Sequence, residues 1–271
     1  METRSLSPKH AHAPMVPVIG MGTSQTLDTD DLRLARDVVG AALDAGTTLF
    51  DSSPMYGKAE RVLGTVLAPR RAEALVATKV WTDDDAVAER QIADSLSFAG
   101  GHIDLLQVHN MVRWPERLRR IEELRDAGQV GFVGATHWRP SNFDELEAAM
   151  VTGRLDAIQI PYNPREREVE ARLLPLAADL GLGVLIMRPF GAGDLMGDPP
   201  TAAELAPLAS FGITTWGQAL LAWGLSHPTT TVSIPATSKP ARAVENAAAG
   251  DHPTLDTEHR DLVAALATRR G

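Results

Sequence analysis

Eight short apolar runs alternate with segments of helical period, and this alternation constrains the fold more than any other feature. The runs cover residues 18–22, 48–50, 75–77, 105–108, 132–135, 157–160, 184–187 and 232–234. Most of them lack polar alternation, as expected for parallel strands that are buried on both faces. Eight strand–helix units predict an α/β protein with one (β/α)8 TIM-barrel domain over residues 1–271. A doubly wound sheet is the alternative, because periodicity does not show whether a sheet closes.

Residues typical of helix ends mark the segments between the runs. Gly46 and Gly181 each follow an apolar helical stripe, where a C-terminal cap is expected. Ser141 with Asp144 resembles a capping box that opens a helix over residues 143–151. Further helices are predicted over residues 59–67 and 257–268.

Two stretches fall outside the alternation. Residues 1–15 are polar and rich in His and Pro, so we expect a flexible segment or a hairpin and no secretory signal. Residues 191–207 form the longest irregular connection. Because this connection follows the seventh run, it is expected to be a ligand-binding loop.

The composition excludes several classes of protein. The net charge of −9, from 26 basic and 35 acidic residues, argues against a nucleic-acid-binding surface. The absence of cysteine excludes disulfides, thiolate metal sites and a cysteine nucleophile. No apolar run approaches the roughly 20 residues that cross a bilayer. We therefore expect a soluble, cytoplasmic protein without a metal site, a nucleic-acid partner or membrane contact.

Four polar residues at the ends of neighbouring runs form a candidate catalytic group. Asp51 ends the second run, and Tyr56 lies five residues later in a Ser/Pro/Gly loop. Lys79 follows the third run and His109 follows the fourth. Because the C-terminal ends of barrel strands face one shared site, we expect these side chains to meet there.

These four residue types suit proton transfer to a carbonyl group. A buried pair of Asp51 and Lys79 would hold positive charge beside Tyr56 and lower its pKa from about 10. Tyr56 could then protonate the oxygen of a substrate carbonyl, which His109 would orient. Such a reaction requires a hydride donor and therefore a nicotinamide cofactor. Each residue alone also has a structural explanation, as a turn residue, a packed ring, a solvated lysine or a structural histidine.

A second candidate site lies in residues 233–246, near the C-terminus. There the eighth run leads through hydroxyl side chains into a helix whose first turn carries Pro240. A helix N-terminus with free N–H groups binds anions, and (β/α)8 enzymes often bind phosphate after strands seven and eight. Arg242 could clamp a phosphate in a bidentate manner. The alternative is a capped surface helix with a solvated arginine.

Together these residues resemble the aldo-keto reductase family, and the resemblance covers about residues 16–246. Few other families combine the motifs in this order. They are Gly20-Met21-Gly22-Thr23, the block from Asp51 to Glu60, Thr78-Lys79, Val108-His109, Gln159 with Asn163, and the block from Ile234 to Asn246.

The resemblance implies a monomeric reductase of aldehydes or ketones that uses NADPH, with NADH as an alternative donor. Tyr56 would be the general acid, Lys79 and Asp51 would tune it, and His109 would orient the carbonyl. The expected cofactor-binding residues are Gly22, Thr23, Asp51, Thr136, His137, Gln159, Met187, Arg188, Phe190, Gly191, Thr237, Ser238, Lys239, Arg242, Glu245 and Asn246.

The chain departs from the family pattern at three places. After the fifth run the usual Gly-Val-Ser-Asn is replaced by residues 134–137, where Thr136 can supply the hydroxyl and His137 replaces the asparagine. After the seventh run, Met187 or Phe190 stands in for the tyrosine that many members stack on the nicotinamide, and Arg188 is expected near the pyrophosphate. A common phosphate-binding lysine is alanine at position 236, so NADPH preference depends on Arg242 and Lys239.

The loops that would cover the substrate are short. We expect an open pocket lined by Met55, Trp81, Trp114 and Trp138, although each tryptophan could instead pack between helix and barrel. Two other functions use the same residues. One is a polyol or sugar dehydrogenase running the reverse oxidation, and the other is a slow-turnover regulatory protein that binds NADPH.

Overall fold

The two ends of a parallel sheet pair with each other and close it into a barrel. The computed structural model describes residues 1–251 and 254–269. Its strands are β1 (Thr3–Ser5), β2 (Met15–Pro17), β3 (Met21–Gly22), β4 (Leu49–Asp51), β5 (Leu75–Val80), β6 (Ile103–His109), β7 (Val130–Thr136), β8 (Ala157–Pro161), β9 (Gly183–Met187) and β10 (Val232–Ser233). Strands β3 to β10 form one parallel sheet in chain order. Parallel bridges join Ile19 to Ser233 and Gly22 to Ala236. The predicted TIM barrel is confirmed, and the doubly wound sheet is excluded because it would leave two free edges.

Helices follow the strands and cover the outside of the barrel. The described residues form α1 (Leu32–Asp44), α2 (Ala59–Leu67), α3 (Asp85–Phe98), α4 (Trp114–Asp126), α5 (Phe143–Met150), α6 (Leu173–Leu180), α7 (Ala202–Leu205), α8 (Trp216–Leu225), α9 (Pro240–Ala248) and α10 (Thr257–Thr268). The predicted bounds of α2 and α10 agree with the structure. Gly46 and Gly181 have positive φ angles of 89° and 63° just after α1 and α6, as expected of glycines at helix ends. Within the described residues, no helix has the length and apolar character needed to cross a membrane.

The N-terminal residues form a hairpin that plugs one end of the barrel. Strands β1 and β2 pair antiparallel. Leu6, between them, is fully buried and packs with apolar side chains from the barrel interior. A Cβ built on Gly183 would lie 1.8 Å from the carbonyl oxygen of Leu6, so this close approach requires glycine. The plug therefore excludes water from the end of the barrel at which the strands begin.

The barrel interior has an apolar layer and a polar layer. Leu49, Leu105 and Ala157 belong to the apolar layer near the hairpin. Because side chains alternate along a strand, the residues two positions later also face inward, and they are polar. The polar layer contains the buried residues Asp51, Lys79, Gln107 and Gln159. This layer lies toward the C-terminal ends of the strands, where (β/α)8 enzymes carry their active sites.

Two local predictions were wrong. Ser141 and Asp144 do not form a capping box, because Ser141 lies within a 3-10 turn (Pro140–Asn142) and donates to Asn142 Oδ1 at 2.9 Å. The connection over residues 191–207 is less irregular than predicted. It contains a 3-10 turn (Gly191–Met196) and the short helix α7, which a capping box between Thr201 and Glu204 opens.

Candidate active site

A buried ion pair lies at the centre of the polar layer. The Nζ atom of Lys79 donates to both Asp51 oxygens, at 2.6 and 2.8 Å, and to the Ser52 carbonyl at 2.8 Å. The lysine side chain has no solvent exposure. Burial disfavours the ammonium, but the charge and hydrogen bond of Asp51, together with Tyr56 and Glu60, outweigh it, so the pKa of Lys79 lies above its ordinary value. Lys79 is therefore a fixed positive charge below the mouth of the barrel.

Two glutamines complete the hydrogen bonds of Asp51. The Oδ1 atom of Asp51 accepts from Gln159 Nε2 at 2.8 Å and from Gln107 Nε2 at 3.3 Å. A Cβ on Gly134 would lie 2.8 Å from Gln107 Cγ, so the bare glycine in β7 leaves room for this side chain. Sequence reasoning missed Gln107. The available signal was a polar residue two positions before His109 in an otherwise apolar run.

A tight turn after β4 carries Tyr56 over the ion pair. The backbone N–H of Tyr56 donates to the Ser53 carbonyl at 3.0 Å, and Gly57 follows with a φ of +61°. The Lys79 Nζ atom lies 5.3 Å from the centre of the Tyr56 ring. Burial raises the pKa of Tyr56 and outweighs the lowering effect of Lys79. The predicted lowering of this pKa was therefore wrong in sign, because the sequence showed the cation but not the desolvation.

His109 stands edge-on to Tyr56, with ring centres 6.1 Å apart and planes at 89°. Its Nδ1 atom lies 3.0 Å from the hydroxyl oxygen of Ser53, which is fully buried. Burial lowers the pKa of His109 to about 2, with additional lowering by the charges of Lys79 and His137. His109 is thus a neutral imidazole at neutral pH.

The loop after His109 is short and strained. Asn110, Met111 and Arg113 all have left-handed φ angles, between 48° and 58°, without being glycine. Such conformations cost free energy and persist where the surrounding structure holds them, often at functional sites. Here they turn the chain from β6 into α4 within a few residues.

Glu60 buttresses the ion pair from the outside of the barrel. Its Oε1 atom accepts from the hydroxyls of Thr78, the residue before Lys79, and Ser95 on α3. Burial raises the pKa of Glu60, although both hydroxyls lower it in part. These contacts join α2 and α3 to the strand that carries the catalytic lysine candidate.

Two of the expected cofactor-binding residues, Gly22 and Thr23, lie beside Asp51 at the rim of the barrel. The Thr23 N–H donates to the Asp51 carbonyl at 3.0 Å, and its hydroxyl donates to Ser52 Oγ at 2.8 Å. A Cβ on Gly22 would lie 2.8 Å from the Ile234 carbonyl oxygen. Glycine is therefore required where β3 meets the strand that leads into α9.

Helix α9 begins without a side-chain cap. Its N-cap residue is Lys239, whose N–H donates to the hydroxyl of Thr237 at 3.1 Å, and Ser238 lies between them. Arg242 on the first turn pairs with Glu245 at 2.8 Å and is half exposed, whereas Asn246 is buried. By contrast, Asp31 and Asp84 cap α1 and α3 with their side chains. In this first turn Pro240 has no N–H and Arg242 donates to the Lys239 carbonyl at 3.0 Å, so the Ala241 N–H is the backbone donor that a ligand can use.

The loops after β7 and β9 meet on the same side of the mouth. Thr136 pairs with His109 and Gln159 across the sheet. His137 is buried, and burial together with the charge of Arg139 lowers its pKa. Met187 ends β9 partly exposed.

The side chains of Arg188 and Phe190, which follow Met187, point in different directions. The guanidinium of Arg188 lies 5.4 Å from the Trp138 ring centre. Phe190 packs against α8 at Gly217, and Gly191 turns the chain with a φ of +58°. Arg188 therefore extends toward the β7 loop, whereas Phe190 is directed into the helix layer.

The predicted substrate pocket is only partly present. Met55, Trp81 and Trp138 are 42%, 40% and 38% exposed around the mouth. Trp114 instead begins α4 and packs against the core between helices and strands. For Trp114 the structure therefore favours the packing explanation.

Comparisons with known proteins identify the family of the chain. Residues 18–267 match the profile of the Aldo/keto reductase family. An aldo-keto reductase of Mycolicibacterium paratuberculosis is 30% identical over 264 residues, which cover 92% of this chain and 86% of that protein. The chain belongs to the aldo/keto reductase family. The predicted family and the predicted oxidoreductase class are thereby confirmed.

Two further matches describe the extent of the likeness. An aldo-keto reductase of Bacillus subtilis is 30% identical over 205 residues, which span 66% of this chain and 60% of that protein. The structure of an aldo-keto reductase from Klebsiella pneumoniae in complex with NADPH has a TM-score of 0.82 at 24% identity. That match covers 98% of this chain and 95% of the other and supports the fold.

Proposed function

We propose that this protein catalyses the NADPH-dependent reduction of an aldehyde or a ketone to an alcohol. The observation that carries the proposal is the buried Lys79–Asp51 pair beneath Tyr56, with neutral His109 beside the phenol. A proton donor, a fixed cation and a neutral imidazole at the open end of one barrel suit protonation of a carbonyl oxygen. Membership of the aldo/keto reductase family supports the same reaction.

The chain has residues suited to hold a nicotinamide cofactor at one side of the mouth. Where a side chain would collide with the Ile234 carbonyl, Gly22 leaves an open backbone surface, with Thr23 and Asp51 adjacent. Thr136, His137 and Gln159 would face the carboxamide. Met187 would cover the ring, because Phe190 packs against α8 and Gly191 only turns the chain.

The adenosine end would lie at the N-terminus of α9. The uncapped first turn and the preceding Thr237, Ser238 and Lys239 supply donors for phosphate oxygens. Arg242 would bind the 2′-phosphate and would exchange its contact with Glu245 for the ligand. Asn246, one turn further along, would complete this part of the site.

Tyr56 is the proton donor in the proposed reaction. The bound cofactor supplies the hydride. Because burial raises the pKa of Tyr56, the phenol is protonated at neutral pH and can give its proton to the carbonyl oxygen. The ammonium of Lys79 stabilises the tyrosinate that remains, and Asp51 holds that ammonium in place.

Ser53 sets which nitrogen of His109 carries the hydrogen. The Ser53 oxygen accepts from the Met55 N–H at 3.4 Å, and in the proposed tautomer the Ser53 hydroxyl donates to His109 Nδ1, 3.0 Å away. An Nδ1 atom that accepts leaves the hydrogen on Nε2. The Nε2–H group can then donate to the substrate carbonyl oxygen and orient it for Tyr56.

Replacing Ser53 with alanine should allow His109 to adopt either neutral tautomer. We expect kcat/KM for an aldehyde to fall about tenfold, because the donor toward the carbonyl is no longer held in one form. The measurement is steady-state kinetics together with ¹⁵N chemical shifts of the histidine ring. Ser7→Ala is the matched control, since Ser7 is equally buried but its hydroxyl has no partner among the described residues. An unchanged Nε2–H tautomer in Ser53→Ala would contradict this role.

Arg242→Glu should discriminate between the two nicotinamide cofactors. We expect the Kd for NADPH to rise about tenfold or more, because a carboxylate would repel the 2′-phosphate, while the Kd for NADH changes little. Fluorescence titration measures both constants. Arg120→Glu on α4 is the control, because Arg120 also pairs with an acid three residues on. An equal rise in the Kd values for NADPH and NADH would show that Arg242 does not bind the 2′-phosphate.

The reaction class is tested by NADPH consumption with a panel of aldehydes and ketones. The proposal predicts turnover with at least some uncharged aldehydes at neutral pH. Faster oxidation of polyols or sugars with NADP⁺ would favour the dehydrogenase alternative. Tight NADPH binding with negligible turnover of every carbonyl compound would favour a regulatory protein and would overturn the proposal.

A further inference from the structure

Two arginines stack on one exposed indole ring at the mouth of the barrel. The guanidinium carbon of Arg139 lies 4.6 Å from the Trp138 ring centre, and that of Arg188 lies 5.4 Å from it. Stacking on an aromatic face restrains a guanidinium while leaving its N–H donors available at the edges. We call Trp138, Arg139 and Arg188 the arginine clamp.

The clamp lies beside the proposed catalytic residues. Trp138 and Arg139 follow His137, whose Nδ1 accepts from the Arg139 N–H at 3.0 Å. His137 is close enough to His109 for its charge to affect the pKa of His109. Arg188 follows β9, and its carbonyl accepts from Asn163 Nδ2 at 2.9 Å. The clamp therefore lies at the C-terminal ends of the strands, on the same face as Tyr56.

The clamp has more positive charge than its protein partners neutralise. Within residues 1–251 and 254–269, Arg139 makes no ion pair, and Arg188 has a single acidic neighbour, Glu166, at 3.3 Å. The buried Nε atom of Arg188 has no acceptor in that part of the chain. Glu166 also accepts from Asn163 Nδ2 at 2.5 Å. Among the described residues, Glu166 is thus the one carboxylate paired with the clamp, and Arg188 shares it with Asn163.

Backbone strain at Arg188 is a second sign that this side chain is held for a purpose. Its φ angle is +54°, in the left-handed region that non-glycine residues rarely adopt. The conformation is kept although it costs free energy, as is common where a side chain must point toward a ligand. Here it directs the guanidinium toward Trp138.

We propose that the arginine clamp binds a carboxylate group of the substrate, so that the protein reduces oxo acids in preference to uncharged aldehydes. The inference rests on the proposed carbonyl reduction. Guanidinium groups bind anionic oxygens, and the pyrophosphate of the cofactor is the other source of such oxygens. The substrate is favoured because Arg139 and Trp138 belong to the loop that continues from His137, beside His109 and Tyr56.

Kinetics with matched substrates tests the clamp. Straight-chain oxo acids of increasing length are compared with uncharged aldehydes of the same length, and the ratio of kcat/KM values is measured. We expect the wild type to favour the acid about tenfold at the best length and to lose that preference in Arg139→Met/Arg188→Met. Arg154→Met is the control, because Arg154 is as exposed as Arg188, also pairs with a glutamate and precedes β8 at the opposite end of the barrel.

The substitution Glu166→Gln tests the clamp by an expected gain in oxo-acid preference. Removing the carboxylate that competes for Arg188 should raise the preference for the oxo acid severalfold. A preference that is unchanged in both the double variant and Glu166→Gln would overturn the proposal. So would a weaker NADPH affinity in the double variant with an unchanged acid preference, because the clamp would then serve the cofactor.

A binding measurement separates this proposal from the proposed function. Succinate and 1,4-butanediol are titrated into the protein with NADP⁺ bound, and heat or tryptophan fluorescence is followed. Succinate binding that Arg139→Met/Arg188→Met abolishes would support the clamp even if every carbonyl compound failed to react. Turnover of uncharged aldehydes without succinate binding, and without an acid preference, would support the reductase and overturn the clamp.

Discussion

Replacing Tyr56 with phenylalanine is expected to lower kcat for aldehyde reduction by about 10²–10⁴-fold, the range for loss of a general acid. The ring and its packing remain, so the Kd for NADPH should be unchanged. The pKa of Tyr56 is raised by burial, and the phenol is therefore the protonated form at neutral pH. Stopped-flow or steady-state measurement of NADPH oxidation gives the rate.

The second tyrosine provides the control for this substitution. Tyr56 and Tyr162 are the two tyrosines of the chain. Tyr162 is buried, donates to Glu170 and packs on Trp223 away from the ion pair. Tyr162→Phe should therefore reduce stability without removing turnover by the folded protein. Full activity in Tyr56→Phe would exclude the proposed mechanism.

Replacing Lys79 with methionine is expected to remove both activity and much of the stability of the barrel. The substitution leaves the Asp51 carboxylate buried without its cation, which typically costs about 3–5 kcal/mol. The tyrosinate would also lose its stabilising charge, so kcat should fall together with the urea midpoint of unfolding. Circular dichroism in urea measures the stability, and NADPH oxidation measures the rate.

A double variant and a surface control isolate the cause. Asp51→Asn/Lys79→Met removes the unpaired charge, so it should regain stability relative to Lys79→Met while remaining inactive. Lys58→Met breaks an equally short pair with Asp30 on the exposed surface and should change stability little. A Lys79→Met protein as stable as the wild type would show that the buried charge of Asp51 is tolerated without its partner.

Much of the fold could be predicted because its signals are local. Each of the eight apolar runs indicates a strand buried on both faces, and glycines such as Gly46 and Gly181 indicate helix ends. The capping box at Ser141 was predicted wrongly because Pro140 starts a turn that places Ser141 inside it. A short motif is a weak signal where a neighbouring residue imposes another geometry.

The candidate site was predictable in its residue types but not in its energetics. Asp51, Tyr56, Lys79 and His109 could be named from their positions at run ends. The direction of the Tyr56 pKa shift could not, because it depends on how far burial outweighs a cation whose distance the sequence does not contain. Gln107 and Ser53 were missed because their importance lies in contacts with Asp51 and His109, each 56 positions away in the chain.

The sequence by itself determined the strand–helix alternation, the polar residues at strand ends and the family to which they belong. Only the tertiary structure decided that the sheet closes, that Gln159 reaches Asp51 across 108 positions, and that Arg139 and Arg188 both contact the ring of Trp138. Hydrophobic periodicity and turn-forming residues act over a few neighbouring positions, so their effects can be predicted from the sequence. Desolvation, hydrogen-bond partners and stacked charges depend on distances through space, which exist only once the barrel has formed.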